Sequence, residues 1–120
     1  NYHVEKLPHG VLQLAYGQPG EAVFDLPPSS PDYGKPIAAY YYWFFPNLMF
    51  NFYPWGLSVN VVKPLGPSLT RVSFIGFVWD ASKMGEGAGA ALDRVEREDE
   101  VVVEAVRRGI RSRFYKHGRY

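Results

Sequence analysis

IAAYYYWFFPNLMFNFYPWG, residues 37–56, is the longest apolar run of the chain and has the length of a membrane-spanning helix. Its punctuation argues otherwise. Pro46, Asn47, Asn51 and Pro54 interrupt it, and Tyr, Phe and Trp fill the spaces between, which is strand chemistry. The run reads as two strands, 37–45 and 48–53, joined by a turn at Pro46–Asn47. Alternation sends Ala39, Tyr41, Trp43 and Phe45 to one side and Tyr40, Tyr42 and Phe44 to the other.

Outward from this pair the same logic adds neighbours. Residues 57–63 and 70–80 read as further strands, separated by the turn KPLGPS. Upstream, VLQLAYG (11–17) reads as a strand closed by QPGE, and DLPPSSPDYGKP (25–36) is a loop whose four prolines block ladder pairing. Short connections make an antiparallel meander the economical topology.

The character changes after residue 80. A Gly/Ala-rich segment, GEGAGAALD, leads into strong helix formers, and a helix is expected from about 92 to 115 with Gly118 as its stop. Arginines crowd its last turns, and His117 beside Gly118 is ordinary compensation of the helix dipole. Strands first and one long helix last define an α+β domain, a curved antiparallel sheet with the helix across its concave face. Spaced 100° apart, Val95, Val102, Val106 and Ile110 share one helix face, with Val103 and Gly109 at its margins. Glu100, Glu104, Arg107 and Arg111 lie opposite, at spacings that suit exposed ion pairs. Asp99 falls in the middle of the valine face. A carboxylate there costs several kcal/mol unless it is paired, hydrogen-bonded or bound to a metal. Arg71, a tyrosine hydroxyl or backbone amides could satisfy it, and so could a metal.

The 120 residues suit one small domain, and a composition 47% hydrophobic with net charge +1 is that of a folded chain. Balanced charge gives no argument for nucleic acid or an anionic membrane surface. Cysteine is absent, which excludes disulfides and thiolate metal sites and permits the cytoplasm, the compartment expected. There is no signal-peptide pattern, and neither end carries an obvious cap, so a piece of something longer is expected.

FPNLMFNFYPWGLSVNVVKPLGPSLTRVSFIGFVWD (45–80) followed by VEREDEVVVEAVRRGIRSRFYKHGRY (95–120) resembles the catalytic domain of Rieske-type non-haem iron oxygenases. These are the α subunits of ring-hydroxylating dioxygenases and the related choline- and carnitine-type monooxygenases. The likeness covers about residues 37–120. It implies a helix-grip fold of the START/Bet v 1-like kind, truncated here. It also implies a mononuclear Fe(II) held by two histidines and one carboxylate, with positions left open for dioxygen. The stretch VEREDEVVVE matches the family's acidic helix and places the carboxylate ligand at Asp99, with Glu98 flanking it. Positions matching Ala39, Tyr41, Asn51, Gly89 and Val95 line the substrate pocket in the family. Gly89 and Val95 stand where aromatics are usual, which enlarges or reshapes that pocket.

His3 and His9 do not supply the missing pair. Their spacing is one residue too long for the family pattern, Pro8 and Gly10 make a poor helix, and a strand begins almost at once. They read as loop residues, and the ligand histidines are expected outside this chain. The resemblance further implies a [2Fe–2S] cluster in an N-terminal Rieske domain. A chain without cysteine does not hold that cluster itself. Electrons would come from NAD(P)H through a reductase or ferredoxin, and the intact protein would be a homotrimer. The substrate would be an aromatic compound or a methylated amine, the latter attracted to Tyr and Trp faces by cation–π contact. The competing reading is a non-catalytic helix-grip module that binds an apolar small molecule and keeps Asp99 paired inside the fold.

Overall fold

Aromatic and apolar side chains along 37–53 favour a pleated ladder. The computed structural model, which describes residues 2–85 and 90–118 with backbone alone for 90–96, builds a sheet around them. Among the described residues there are six strands: β1 (Tyr2–Leu7), β2 (Gly10–Tyr16), β3 (Ile37–Phe44), β4 (Leu48–Tyr53), β5 (Gly56–Gly66) and β6 (Leu69–Val78). Every strand pairs antiparallel with its sequence neighbour, in the order β1-β2-β3-β4-β5-β6. A short 3-10 turn (Ala81–Gly85) and one helix, α1 (Ala90–Gly109), follow. The class is α+β, with an antiparallel meander.

Three elements depart from the sequence expectation. β1 was expected to be loop. Instead His3 lies within a strand, and Pro8–His9 form the two-residue turn of a β1–β2 hairpin. No non-glycine residue in the described chain has positive φ, so this turn is not of the I′ type, and Pro8's fixed φ sets it instead. β5 runs through Pro64, beyond the expected end. Proline is tolerated there because β4 reaches only to Val61, leaving Pro64 beside β6 alone, and the register shifts between Pro64 and Gly66. The helix stops at Gly109, not near Tyr115. Glycine disfavours the helix interior, and past it Ser112 Oγ accepts from the Phe114 amide at 3.3 Å, a local turn that competes with helix.

Side chains paired across strands share a face, so the register sorts the sheet. One face carries Ala39, Tyr41 and Trp43 from β3, Met49, Asn51 and Tyr53 from β4, and Ser58 and Asn60 from β5. The other carries an aromatic cluster. Tyr42 stacks on Phe44 with ring centroids 5.8 Å apart, and the edge-to-face pairs Tyr42–Phe52 and Phe44–Phe50 close it at 5.9 and 6.0 Å. The loop after β2 covers one end of this second face. Gly17 N–H donates to Pro36 O, Phe24 N–H donates to Ile37 O, and the Phe24 ring meets Tyr40 edge-on at 5.4 Å. Among the described residues the buried apolar side chains gather at the end of β2 and the start of β3: Leu14, Ala15 and Ala39 are buried and Ile37 is 0% exposed.

The helix behaves differently. All described side chains from Arg97 to Gly118 are exposed, Val102 at 59% and Ile110 at 48%, so the expected packing of the valine face on the sheet is absent among them. Asp99 is exposed too, against the expectation of a buried acid. Physical reason is at hand: docking that face within this chain would also desolvate the Asp99 carboxylate, at several kcal/mol unless it found a partner. No helix among the described residues is long and apolar enough to cross a membrane.

Candidate active site

β3 and β4 bring three of the five expected pocket residues together. Tyr41 pairs directly with Asn51 across β3–β4, and Ala39 lies two residues along β3 on the same face, 2% exposed. Tyr41 meets Tyr53 edge-to-face at 5.8 Å, and Tyr53 in turn stacks on Trp55 at 4.8 Å with ring planes 7° apart. Burial pushes the Tyr41 hydroxyl above its ordinary value, while a hydrogen bond with the Tyr53 hydroxyl works the other way. Tyr41 therefore stays protonated at neutral pH and can donate or accept.

The next strand adds polar groups that the sequence reading missed. Asn51 pairs with Ser58, and Met49 with Asn60. Ser58 is 3% exposed, and its hydroxyl donates to Asn60 Oδ1 at 3.0 Å. The signal was available: a two-residue turn at Pro54–Trp55 sets Gly56 opposite Tyr53, and counting in twos back along β4 and on along β5 puts Tyr53, Ser58 and Asn60 on the Tyr41 side. This patch offers flat aromatic surface beside amide and hydroxyl groups. It suits a small ligand with an apolar or cationic part and a polar atom.

The remaining expected residues stand apart from it. Gly89 lies outside the described residues, and Val95 lies on α1 where the backbone alone is described. Asp99 and Glu98 are on the exposed part of α1, His3 is near the start of β1 and His9 is in the β1–β2 turn. Among the described residues no three His, Cys, Asp or Glu side chains gather as a metal site. Asp99 has the hard oxygen donor that Fe(II) accepts, so it fits one corner of a two-histidine, one-carboxylate set. The described residues do not assemble the other two corners.

On the opposite face, Phe24, Phe52, Leu57, Phe77 and Trp79 line an open apolar hollow, with Trp79 Nε1–H donating to Pro54 O at 2.9 Å. Tyr53 and Pro54 line it as well, so at the β4–β5 turn the hollow borders the ring that meets Tyr41.

Residues 15–120 match the catalytic domain of the ring-hydroxylating α subunit, and the chain belongs to that family of oxygenases. Among individual proteins it is similar to choline monooxygenase, chloroplastic, of Arabidopsis thaliana, 39% identical over 87 residues, covering 68% of this chain and 20% of that protein. The same-named proteins of Spinacia oleracea and Atriplex hortensis are 33% and 32% identical over 89 and 88 residues, covering 70% and 68% of this chain and 20% of each of them. The chain thus spans about a fifth of the length of these relatives. No solved structure matches it.

Proposed function

We propose that this chain is part of the catalytic domain of a Rieske non-haem iron oxygenase that hydroxylates a methylated ammonium compound. The observation that carries the reading is the Tyr41–Tyr53–Trp55 aromatic array beside Asn51 on one sheet face, in a chain whose relatives are named for choline. Aromatic faces attract a quaternary ammonium by about 0.5–2 kcal/mol each, rising as water is excluded. An aromatic substrate is the second reading, since the exposed edge of the same array also suits ring contact. Family membership favours either over a non-catalytic binding module.

In the intact protein α1 lies across the Tyr41 face in a helix-grip arrangement, which buries Val102, Val106 and Ile110. Ala39, Tyr41, Asn51, Gly89 and Val95 then line the substrate pocket. Asp99 holds a mononuclear Fe(II) with two histidines from outside this chain, and Glu98 orients it. The iron, when bound, supplies dioxygen activation. This chain's own residues bind and orient the substrate: Tyr41 and its ring neighbours hold the cationic or flat part, and the helix valines exclude water. A [2Fe–2S] cluster in an N-terminal domain would supply the electrons, drawn from NAD(P)H through a reductase or ferredoxin, and the intact protein would be a homotrimer. Cytoplasmic placement completes the proposal; the relatives are chloroplastic by name.

The test uses the full-length protein that carries this segment. Asp99→Ala should lower bound iron, measured by metal analysis, at least tenfold and abolish choline oxidation, with circular dichroism unchanged. Full iron occupancy and turnover in that variant would refute the ligand assignment.

A further inference from the structure

Asn60 occupies an unusual place for its side chain. Asparagine is disfavoured in strand interiors, yet Asn60 lies within β5, paired with Met49 on one side and Phe74 on the other. The Ser58 hydroxyl, almost wholly buried, donates to its amide oxygen at 3.0 Å. That bond fixes which way the amide faces: the oxygen is turned to Ser58, and the two Nδ2 hydrogens are turned away from it. Among the described residues these hydrogens meet no protein acceptor. Asn60 is only partly exposed, so two donors are held ready on the Tyr41 face.

Geometry relates this donor to the aromatic array. Tyr41 pairs with Asn51, and Asn51 with Ser58, so Tyr41 and Asn60 sit two strands apart and one register pair out of line. Two strand spacings are about 10 Å, so a small molecule seated over β4 reaches both. We infer that Asn60 is a specificity-determining residue, positioned by Ser58, whose amide N–H donates to an oxygen atom of the substrate. The inference rests on the functional reading above and deepens it: the substrate is a methylated ammonium that also carries a hydroxyl, carbonyl or carboxylate oxygen. Ser58 acts only through Asn60; without its hydroxyl the amide is free to turn its oxygen outward and present an acceptor to an acceptor.

Steady-state kinetics of the full-length, iron-loaded protein test this, with choline and its oxygen-free analogue ethyltrimethylammonium as substrates. Wild type should favour choline in kcat/KM. Asn60→Ala should cut that preference about tenfold, mainly through the KM of choline, and leave ethyltrimethylammonium nearly unchanged. Ser58→Ala should cut it several-fold with the same substrate asymmetry, a ratio that a merely structural role would not move. Equal loss on both substrates in Asn60→Ala, or an unchanged ratio, overturns the assignment while the functional reading stands. If wild type oxidises neither ammonium, the functional reading fails and this assignment fails with it.

Discussion

The centre of the sheet and the C-terminal helix are both amphipathic, but only one of them has found its partner. β2 to β5 form each other's environment, each strand supplying the ladder of the next, and the loop 17–36 is tied to the start of β3 by the Phe24 N–H donating to Ile37 O. α1 satisfies its backbone internally and leaves Val102, Val103 and Val106 in water. A strand's pairing is decided by its neighbours in sequence here, whereas a helix face needs a surface from elsewhere. The acid set among those valines makes the difference sharper, since it penalises any covering surface that brings no cation or donor.

Matched substitutions in the two regions should separate them. The largest effect is expected at Ile37, which is 0% exposed: Ile37→Ala should cost about 4 kcal/mol in urea unfolding, from lost burial plus the cavity. Val102→Ala, at 59% exposure, should cost under about 0.5 kcal/mol in this chain. A cost near that of Ile37 would mean that α1 is docked in solution.

Next comes a glycine pair. A Cβ on Gly56 would stand 2.1 Å from Phe77 O, a backbone atom that has to move, so Gly56→Ala should destabilise by about 2–3 kcal/mol. Nothing lies within 4 Å of the same atom on Gly109, so Gly109→Ala should stabilise by up to about 1 kcal/mol through helix propensity alone. Equal thermal shifts for the two would contradict the tight β5–β6 approach.

The smallest effect concerns the loop that covers the sheet. Lys35 Nζ donates to Asp32 Oδ1 at 2.8 Å and the Tyr40 hydroxyl to Oδ2 at 3.1 Å. The Lys35 bond, ahead of the Tyr40 bond, holds the Asp32 carboxyl below its ordinary value, and burial with the Asp32 bond pushes the Tyr40 hydroxyl up to about 12. A lowered carboxyl contributes stability above its unfolded value of 3.8 and loses it as pH falls through the lowered folded value. Asp32→Asn should therefore cost about 1 kcal/mol at pH 7, and the melting curves of variant and wild type should converge as the pH falls through the lowered folded value. A gap that persists in acid would place the effect in packing instead of charge.

The sequence was readable where local chemistry and tertiary outcome agree. β3 and β4 lie within one residue of their expected bounds, because rings and turn residues mark both their bodies and their ends. β1 was unreadable for the opposite reason: YHVEKL is exposed at nearly every position, so no alternation betrays it, and Pro8–His9 lacks an Asn-Gly signature. The helix end was misplaced because Gly109 fits the margin of an apolar face as well as it fits a stop. In the site, Tyr41 and Asn51 are cross-strand partners, but Ser58 and Asn60 were passed over because the pattern of twos has to be carried across Pro54–Trp55. The position of Asp99 among valines follows from helix geometry alone; its exposure depends on what the helix meets, which no local pattern encodes.

The strictly sequential strand order bears on how the protein is made. As the chain leaves the ribosome, each strand from β2 to β6 finds its partner already in place immediately before it, so pairing advances hairpin by hairpin without waiting for distant sequence. α1 is synthesised after β6, so all six of these strands precede it.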